Sequence, residues 1–186
     1  CFSEDTPVKR LTPQELYDRI KIDDLYFQAT GGGVTFGGGE PLLHSDFISE
    51  FRLLCGSKWH ITAETCLNIP QKHVETASEC VDAFFIDIKD MNPEIYRSYT
   101  GRENDQVIAN LEFLLKKTDP DRILALGESQ GGALTFIAAS LDDRIRAACP
   151  SVPFLSDYKD YFSIVHWPGE PILKAAAEKG ISDEDL

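Results

Sequence analysis

Short apolar strands alternate with amphipathic helices about five times along the chain, and this alternation limits the fold more than any other feature. The predicted strands cover residues 34–36, 60–65, 81–88, 123–126 and 146–152. Strands separated by helices at intervals of roughly 20 to 35 residues indicate a mostly parallel sheet with right-handed crossovers. The predicted fold class is therefore α/β, with a mostly parallel sheet of about five strands and alternating helices. Both a partial barrel and a doubly wound sheet fit this pattern.

The composition indicates a folded, acidic protein. The chain has 186 residues, of which 42% are hydrophobic, and its formal net charge is -13. A charge of this sign repels phosphate backbones and anionic lipids, so neither nucleic acid nor a membrane is an expected partner. No apolar run approaches the roughly 20 residues that span a bilayer, and no signal peptide is evident. The five cysteines form no C-x-x-C pair, which favours free thiols and a cytoplasmic protein.

Local signals predict where several elements begin. The segment Thr12-Pro13-Gln14-Glu15 combines a capping residue, a proline suited to the first helical position and a glutamate that completes a capping box. Residues 45–54 carry apolar side chains at helical spacing, and Pro70 begins a further helix. Residues 81–88 are almost continuously apolar, which predicts a strand buried on both faces.

A glycine-rich segment, Gly37-Gly38-Gly39-Glu40-Pro41, follows the first predicted strand. Ligands of α/β folds bind at the carboxyl ends of the strands, and glycine there lets the backbone approach a ligand closely. The carboxylate of Glu40 is able to hold an amino group. A flexible turn that binds nothing explains the glycines equally well.

Four motifs follow one another within residues 1–117. They are Gly33-Val34-Thr35-Phe36-Gly37-Gly38-Gly39-Glu40-Pro41-Leu42-Leu43, then Glu64-Thr65-Cys66, then Phe85-Ile86-Asp87-Ile88-Lys89-Asp90-Met91, and finally Tyr99-Thr100-Gly101 with the helix at Asn110-Leu111. In order and spacing, these segments resemble the activating enzymes of glycyl-radical enzymes, which are part of the radical S-adenosylmethionine (SAM) superfamily.

The resemblance implies a partial (βα) barrel that binds a [4Fe–4S] cluster and SAM. It also implies that a hydrogen is abstracted from a glycine of a partner, a glycyl-radical enzyme. Gly38, Gly39 and Glu40 are expected to hold the amino group of the methionine moiety. Glu64 and Lys89 are expected to contact the rest of the cofactor. A carboxylate facing an ammonium group and a lysine facing a carboxylate would form charge-assisted hydrogen bonds.

The sequence departs from the family at three points. The family's cluster is held by the thiolates of a C-x-x-x-C-x-x-C loop, and no such loop occurs here, so no metal ligand is assigned. Gly37 stands where the family usually has serine, and Leu67 stands where it usually has glycine. Without the cluster, radical chemistry is expected to be absent, and any residual SAM binding is expected to be weak.

The segment Gly127-Glu128-Ser129-Gln130-Gly131 has the spacing of a serine nucleophile elbow and lies between an apolar strand and a helix of small residues. Together with Val152-Pro153-Phe154-Leu155-Ser156-Asp157-Tyr158, it resembles the acetyl xylan esterase and cephalosporin C deacetylase family of α/β-hydrolases. The resemblance runs from about residue 118 to at least residue 167. It implies that Ser129 is the acyl nucleophile, that the N–H of Gln130 supplies half of an oxyanion hole, and that the substrates are small acetyl esters.

The remainder of a hydrolase triad is less well defined. Asp157 and His166 follow Ser129 in hydrolase order, with Asp160 as a substitute acid. His166 stands beside Trp167 in an aromatic segment, where packing or solvent exposure explains it as well. Geometry rather than chain order defines a triad. The family's upstream strands, and its own acid and histidine, have no counterpart in the sequence.

The two resemblances meet at Asp119-Pro120-Asp121-Arg122-Ile123. This junction predicts two segments, residues 1–117 and 118–186, or one merged α/β domain. The chain is accordingly predicted to be a fragmentary or chimeric α/β protein, derived from a glycyl-radical-enzyme activase and not catalytically competent as it stands. The alternative is a carboxylesterase that uses Ser129.

Overall fold

The computed structural model describes residues 9–128, 130–151 and 178. The chain divides into two compact units, Cys1–Lys117 and Thr118–Leu186. In both units parallel strands alternate with helices, which confirms the predicted α/β class. Within the described residues the five strands pair in two sheets, one of three strands and one of two, rather than in a single sheet.

The elements of the first unit follow the predicted alternation, with two additional helices. In chain order they are α1 (Pro13–Ile20), α2 (Asp24–Thr30), β1 (Gly33–Phe36), α3 (Ser45–Cys55), β2 (His60–Thr65), α4 (Gln71–Ser78), β3 (Ala83–Ile86), α5 (Pro93–Thr100) and α6 (Asp105–Lys117). Short 3-10 turns cover Lys21–Asp23, Pro41–His44 and Gly56–Lys58.

Strand β2 lies in the centre of the three-stranded parallel sheet, between β1 and β3. Phe36 of β1, Ala63 of β2 and Phe84 of β3 share one level of the register. Because side chains alternate along a strand, this face packs into the core, which surrounds the fully buried Phe51 and Trp59. The opposite face is more open and polar, and it is the face that carries Glu64.

The predicted start of α1 is confirmed. The hydroxyl of Thr12 accepts from the backbone N–H of Glu15 at 3.2 Å, and the Glu15 carboxylate accepts from the N–H of Thr12 at 2.8 Å. This reciprocal pair satisfies two N–H groups that the first turn of a helix leaves without partners. The predicted helix starts at residues 45 and 70 are confirmed as well, since α3 begins at Ser45 and Pro70 directly precedes α4.

Helices α2 and α5 were not predicted from the sequence, for different reasons. Helix α2 buries no residue, and Leu25 is 81% exposed, so its sequence has no amphipathic stripe that would predict a helix. Helix α5 did carry signals. The side chain of Asn92 accepts from two N–H groups of the first turn, Pro93 begins the helix, and Gly101 ends it at a φ of 68°.

Strand β3 is shorter and less buried than its sequence predicts. It covers Ala83–Ile86 rather than residues 81–88, and Phe85 is 47% exposed. The prediction of a strand buried on both faces is therefore wrong. Within the described residues β3 pairs only with β2, so it is an edge strand of its sheet.

The second unit contains β4 (Leu124–Glu128), α7 (Gln130–Leu141) and β5 (Ala147–Ser151), preceded by a 3-10 turn at Pro120–Arg122. Strands β4 and β5 are parallel and α7 connects them. Two glycines permit a close approach in this unit. A Cβ on Gly127 would lie 2.0 Å from the carbonyl oxygen of Gly131, and a Cβ on Gly132 would lie 2.4 Å from that of Ser151.

None of the helices in the described part of the chain has the length and apolar character needed to cross a membrane.

Candidate functional site

The five residues expected to bind SAM all lie at the carboxyl edge of the three-stranded sheet. Gly38, Gly39 and Glu40 follow β1, Glu64 is the penultimate residue of β2, and Lys89 lies three residues after β3. Parallel strands place their carboxyl ends at one edge, so three separate sequence motifs meet there. Four of these five positions belong to loops, which leaves their groups accessible from outside the core.

The carboxylate of Glu40 joins the loop after β1 to the loop after β2. Its Oε1 accepts from the backbone N–H of Leu42 at 3.2 Å, at the start of the Pro41–His44 turn. Its Oε2 accepts from the backbone N–H of Cys66 at 3.0 Å and from the Cys66 thiol at 3.3 Å. A carboxylate offers about four acceptor positions, so three are used and one remains for a ligand.

Glycine at position 37 allows Glu64 to lie against the glycine-rich loop. A Cβ on Gly37 would be 2.8 Å from Oε2 of Glu64. The departure from the serine that the family usually has at this position therefore coincides with a close approach of that carboxylate. Cβ atoms on Gly38 or Gly39 would meet no heavy atom within 4 Å, so the outer side of the loop is open.

Lys89 contributes the positive charge of this edge. Its ammonium group forms an ion pair with Asp87, and this hydrogen bond raises the pKa of Lys89 above its ordinary value. Lys89 is therefore charged at neutral pH. An anionic group bound at Lys89 would have to share this ammonium with the Asp87 carboxylate.

Leu67 shows how the loop after β2 is held. It is fully buried and has a φ of 60°, in the left-handed region that favours glycine. The backbone N–H of Leu67 donates to the hydroxyl of Thr65 at 3.0 Å, and its carbonyl accepts from the side-chain amide of Asn110 at 2.8 Å. The glycine that the family usually has at this position would adopt the same conformation without strain.

Asn110 was not among the predicted site residues. Its amide also donates to the carbonyl of Ile69 at 2.9 Å, and the residue has no exposed surface. An asparagine on the apolar face of α6, between Val107 and Leu114, was the one available signal, because a buried amide needs partners.

The cysteines of the described residues do not fit an iron–sulfur cluster. No group of three metal-ligating side chains occurs in this part of the chain. Cys66 lies at the site, whereas Cys55 and Cys80 are buried, and their thiols lie against backbone carbonyls of α3 and α4. Burial raises the pKa of all three thiols above its ordinary value.

The predicted hydrolase residues are only partly described. Ser129, Asp157 and His166 lie outside the described residues. Gln130 begins α7 immediately after Ser129, so its backbone N–H is in the first turn, where such groups have no partner within the helix. A strand precedes Ser129 and a helix follows it, as the motif requires, since β4 ends at Glu128 and α7 starts at Gln130.

Comparison with known proteins identifies the family of the first unit. The model of the radical SAM superfamily matches residues 1–128, which is 128 of the 186 residues. The chain belongs to the radical SAM superfamily. The match contains every residue that forms the carboxyl-edge site.

The curated relatives of this radical SAM chain are activating enzymes. The (2S)-3-sulfopropanediol dehydratase activating enzyme of Klebsiella oxytoca is 38% identical over 104 residues, 55% of this chain and 33% of that protein. The pyruvate formate-lyase-activating enzyme of Listeria monocytogenes is 33% identical over 114 residues, 58% of this chain and 46% of that protein. The chain thus spans less than half the length of these relatives.

A crystal structure of a domain of pyruvate-formate lyase-activating enzyme from Bacteroides vulgatus superposes with a TM-score of 0.45 at 20% identity. The superposition covers 80% of this chain and 95% of the Bacteroides vulgatus domain. That likeness is too low to support an inference about function.

A second family model, acetyl xylan esterase, matches residues 102–168 of the radical SAM chain. The two matches overlap over residues 102–128, so they do not place a junction at residues 119–123. The chimera stays a prediction. Sequencing a proteolytic peptide that spans Phe113 to Glu128 would test it.

Proposed function

We propose that this chain carries the SAM-binding edge of an enzyme that activates a glycyl-radical enzyme. The observation that supports this most is the placement of Glu40, Glu64 and Lys89 at the carboxyl edge of one sheet, with Glu64 against an open glycine-rich loop, in a chain of the radical SAM superfamily. In such enzymes the bound cofactor supplies the radical that takes a hydrogen from a glycine of the partner.

The charges at this edge suit the amino-acid part of SAM. The remaining acceptor position of Glu40 and the exposed Glu64 carboxylate are suited to an ammonium group, and Lys89 is suited to a carboxylate. The open space around Gly38 and Gly39 lets a ligand approach the backbone. We further propose that these 186 residues alone do not perform radical chemistry, because the C-x-x-x-C-x-x-C loop does not occur among them.

Isothermal titration calorimetry with SAM tests this proposal. Wild-type protein is expected to bind weakly, and Glu64→Gln or Lys89→Gln should each reduce the affinity about tenfold through loss of one charge-assisted hydrogen bond. The matched controls are Glu50→Gln and Lys58→Gln, exposed residues outside the site, which should leave the affinity unchanged. An absence of heat from wild-type protein at millimolar SAM would contradict the proposal.

We propose the cytoplasm as the location of the protein. The described cysteines Cys55, Cys66, Cys80 and Cys149 are free thiols, and free thiols persist in a reducing compartment.

A carboxylesterase is the second candidate function, and the close approach at Gly127 and Gly132 favours it. Both glycines lie where a side chain would collide with backbone, so α7 can start directly behind β4, as a nucleophile elbow requires. Ser129 would then be the nucleophile, with the backbone N–H of Gln130 as an oxyanion donor. Asp157 and His166 are the proposed acid and base.

Hydrolysis of p-nitrophenyl acetate tests the esterase proposal. Ser129→Ala is expected to reduce the rate to that of buffer alone, because the acyl-enzyme cannot form. Ser140→Ala, which changes an exposed serine of α7, is the control and should retain the wild-type rate. A wild-type rate in Ser129→Ala would show that the activity arises elsewhere.

A further inference from the structure

A cavity of about 330 Å³ opens beside the loops that follow β2 and β3. Its lining residues come from those two loops and from α5 with the residues after it. They are Cys66, Asn68, Lys89, Tyr96, Thr100 and Arg102. Two of these side chains, Lys89 and Arg102, are cations, and none is an acid.

The hydroxyl of Tyr96 is the decisive group in this cavity. Tyr96 is only 3% exposed, and its oxygen accepts from the side-chain amide of Asn68 at 2.8 Å. The Asn68 amide is the donor in this hydrogen bond, so the hydroxyl proton of Tyr96 has to be donated to a different acceptor. No described residue accepts it. Buried donors in folded proteins are almost always paired, so an acceptor inside the cavity is expected.

The charges around the cavity favour an anionic acceptor. Arg102 has no carboxylate within ion-pair distance among the described residues. Of the acids near the cavity, Asp87 pairs with Lys89, and Glu103 pairs with Arg97 at 2.9 Å. Glu40 accepts from the backbone N–H of Leu42 and from Cys66. In a chain of net charge -13, unspecific attraction of anions is not expected. Anion binding in this cavity would therefore indicate a specific site formed by its lining residues.

We propose that this cavity binds a small oxyanion, a carboxylate or a phosphate. Tyr96 donates one hydrogen bond to it, and Arg102 supplies a charge that no carboxylate of the described residues pairs with. Lys89 lines this cavity and is also assigned to SAM, whereas Tyr96 and Arg102 are not. Variants of Tyr96 and Arg102 are therefore expected to weaken oxyanion binding without removing a residue assigned to SAM.

Nuclear magnetic resonance titrations with inorganic phosphate and, separately, with acetate test the proposal. The expected result is a saturable shift of the Nε–H signal of Arg102 and of the Asn68 side-chain amide at millimolar anion. Tyr96→Phe, which keeps the ring, and Arg102→Gln should each weaken binding about tenfold. Lys58→Gln is the matched control, because Lys58 lines a separate cavity with Trp59.

The two anions distinguish the ligand classes. Shifts with both anions support a general oxyanion site, and shifts with one assign the site to that class. If water takes the Tyr96 proton instead, neither anion shifts the wild-type signals, and that result overturns the proposal. Equal shifts in wild-type protein, Tyr96→Phe and Arg102→Gln would also overturn it, because the anion would then bind elsewhere.

Discussion

Replacing Gly33 with alanine is expected to destabilise the first unit by about 3 kcal/mol or more, the upper range for forcing extra atoms into a packed site. The added Cβ would lie 2.0 Å from the backbone oxygen of His60 and 2.6 Å from its nitrogen. Both contacts are with backbone, so no side chain can rotate away. The first two strands would have to separate where their parallel pairing begins, because Gly33 pairs with His60 in the register.

Gly39→Ala is the matched control for Gly33→Ala. A Cβ on Gly39 meets nothing within 4 Å, so the change should alter the free energy of unfolding by no more than about 0.5 kcal/mol. Urea denaturation followed by the fluorescence of the fully buried Trp59, in a Trp167→Phe background, measures both variants. Equal midpoints for the two variants would mean that β1 and β2 do not approach each other as described.

The loop glycines illustrate which parts of the site the sequence could predict. Gly37, Gly38 and Gly39 were expected at a ligand-binding edge from their place after a strand. The structure puts them at the carboxyl edge of the sheet, and ligand binding there stays a prediction. Gly33 belongs to an equally glycine-rich run, yet it begins β1 and lies against the backbone of His60. Composition cannot distinguish these two uses of glycine, because one depends on a strand that lies 27 positions away in the sequence.

Signals confined to one segment were predicted more reliably than those between segments. The cap at Thr12 and the starts of α3 and α4 depend on neighbouring residues, and each was correct. The bridge from Glu40 to Cys66 depends on tertiary contact, and periodicity gave no indication of it. The predicted burial of Phe85 was wrong for a related reason, because the burial of a strand depends on which neighbouring elements cover its faces.

The left-handed conformation of Leu67 is the clearest case in which the tertiary structure prevails over a local preference. A leucine at positive φ costs about 1–2 kcal/mol relative to the ordinary regions. The loop nevertheless buries this side chain completely and anchors the Leu67 carbonyl to Asn110. Burial of a leucine contributes about 1.5–3 kcal/mol, which is enough to offset the strain. Asn110 should therefore be decisive for the loop that also carries Cys66.

Asn110→Leu is expected to cost about 4 kcal/mol, because two buried carbonyls lose their donor at about 1–3 kcal/mol each. Leucine has the same number and branching of side-chain heavy atoms as asparagine, so the change removes the amide and keeps the shape of the side chain. The carbonyls of Leu67 and Ile69 would be left without the Asn110 donor in a region closed to solvent. The free energy of unfolding from urea denaturation measures the loss.

Asn104→Leu provides the comparison that separates hydrogen bonding from packing. Asn104 is also buried, at 2% exposure, but its amide donates to one carbonyl, that of Met91, at 2.8 Å. Loss of this one donor should lower the free energy of unfolding by about half as much, roughly 2 kcal/mol.

Asn110→Leu should in addition speed the alkylation of Cys66, since the loop that shields this thiol is released, whereas Asn104→Leu should not. Equal costs and unchanged alkylation would show that Asn110 acts only by filling space, and that the loop after β2 is held by burial of Leu67 alone.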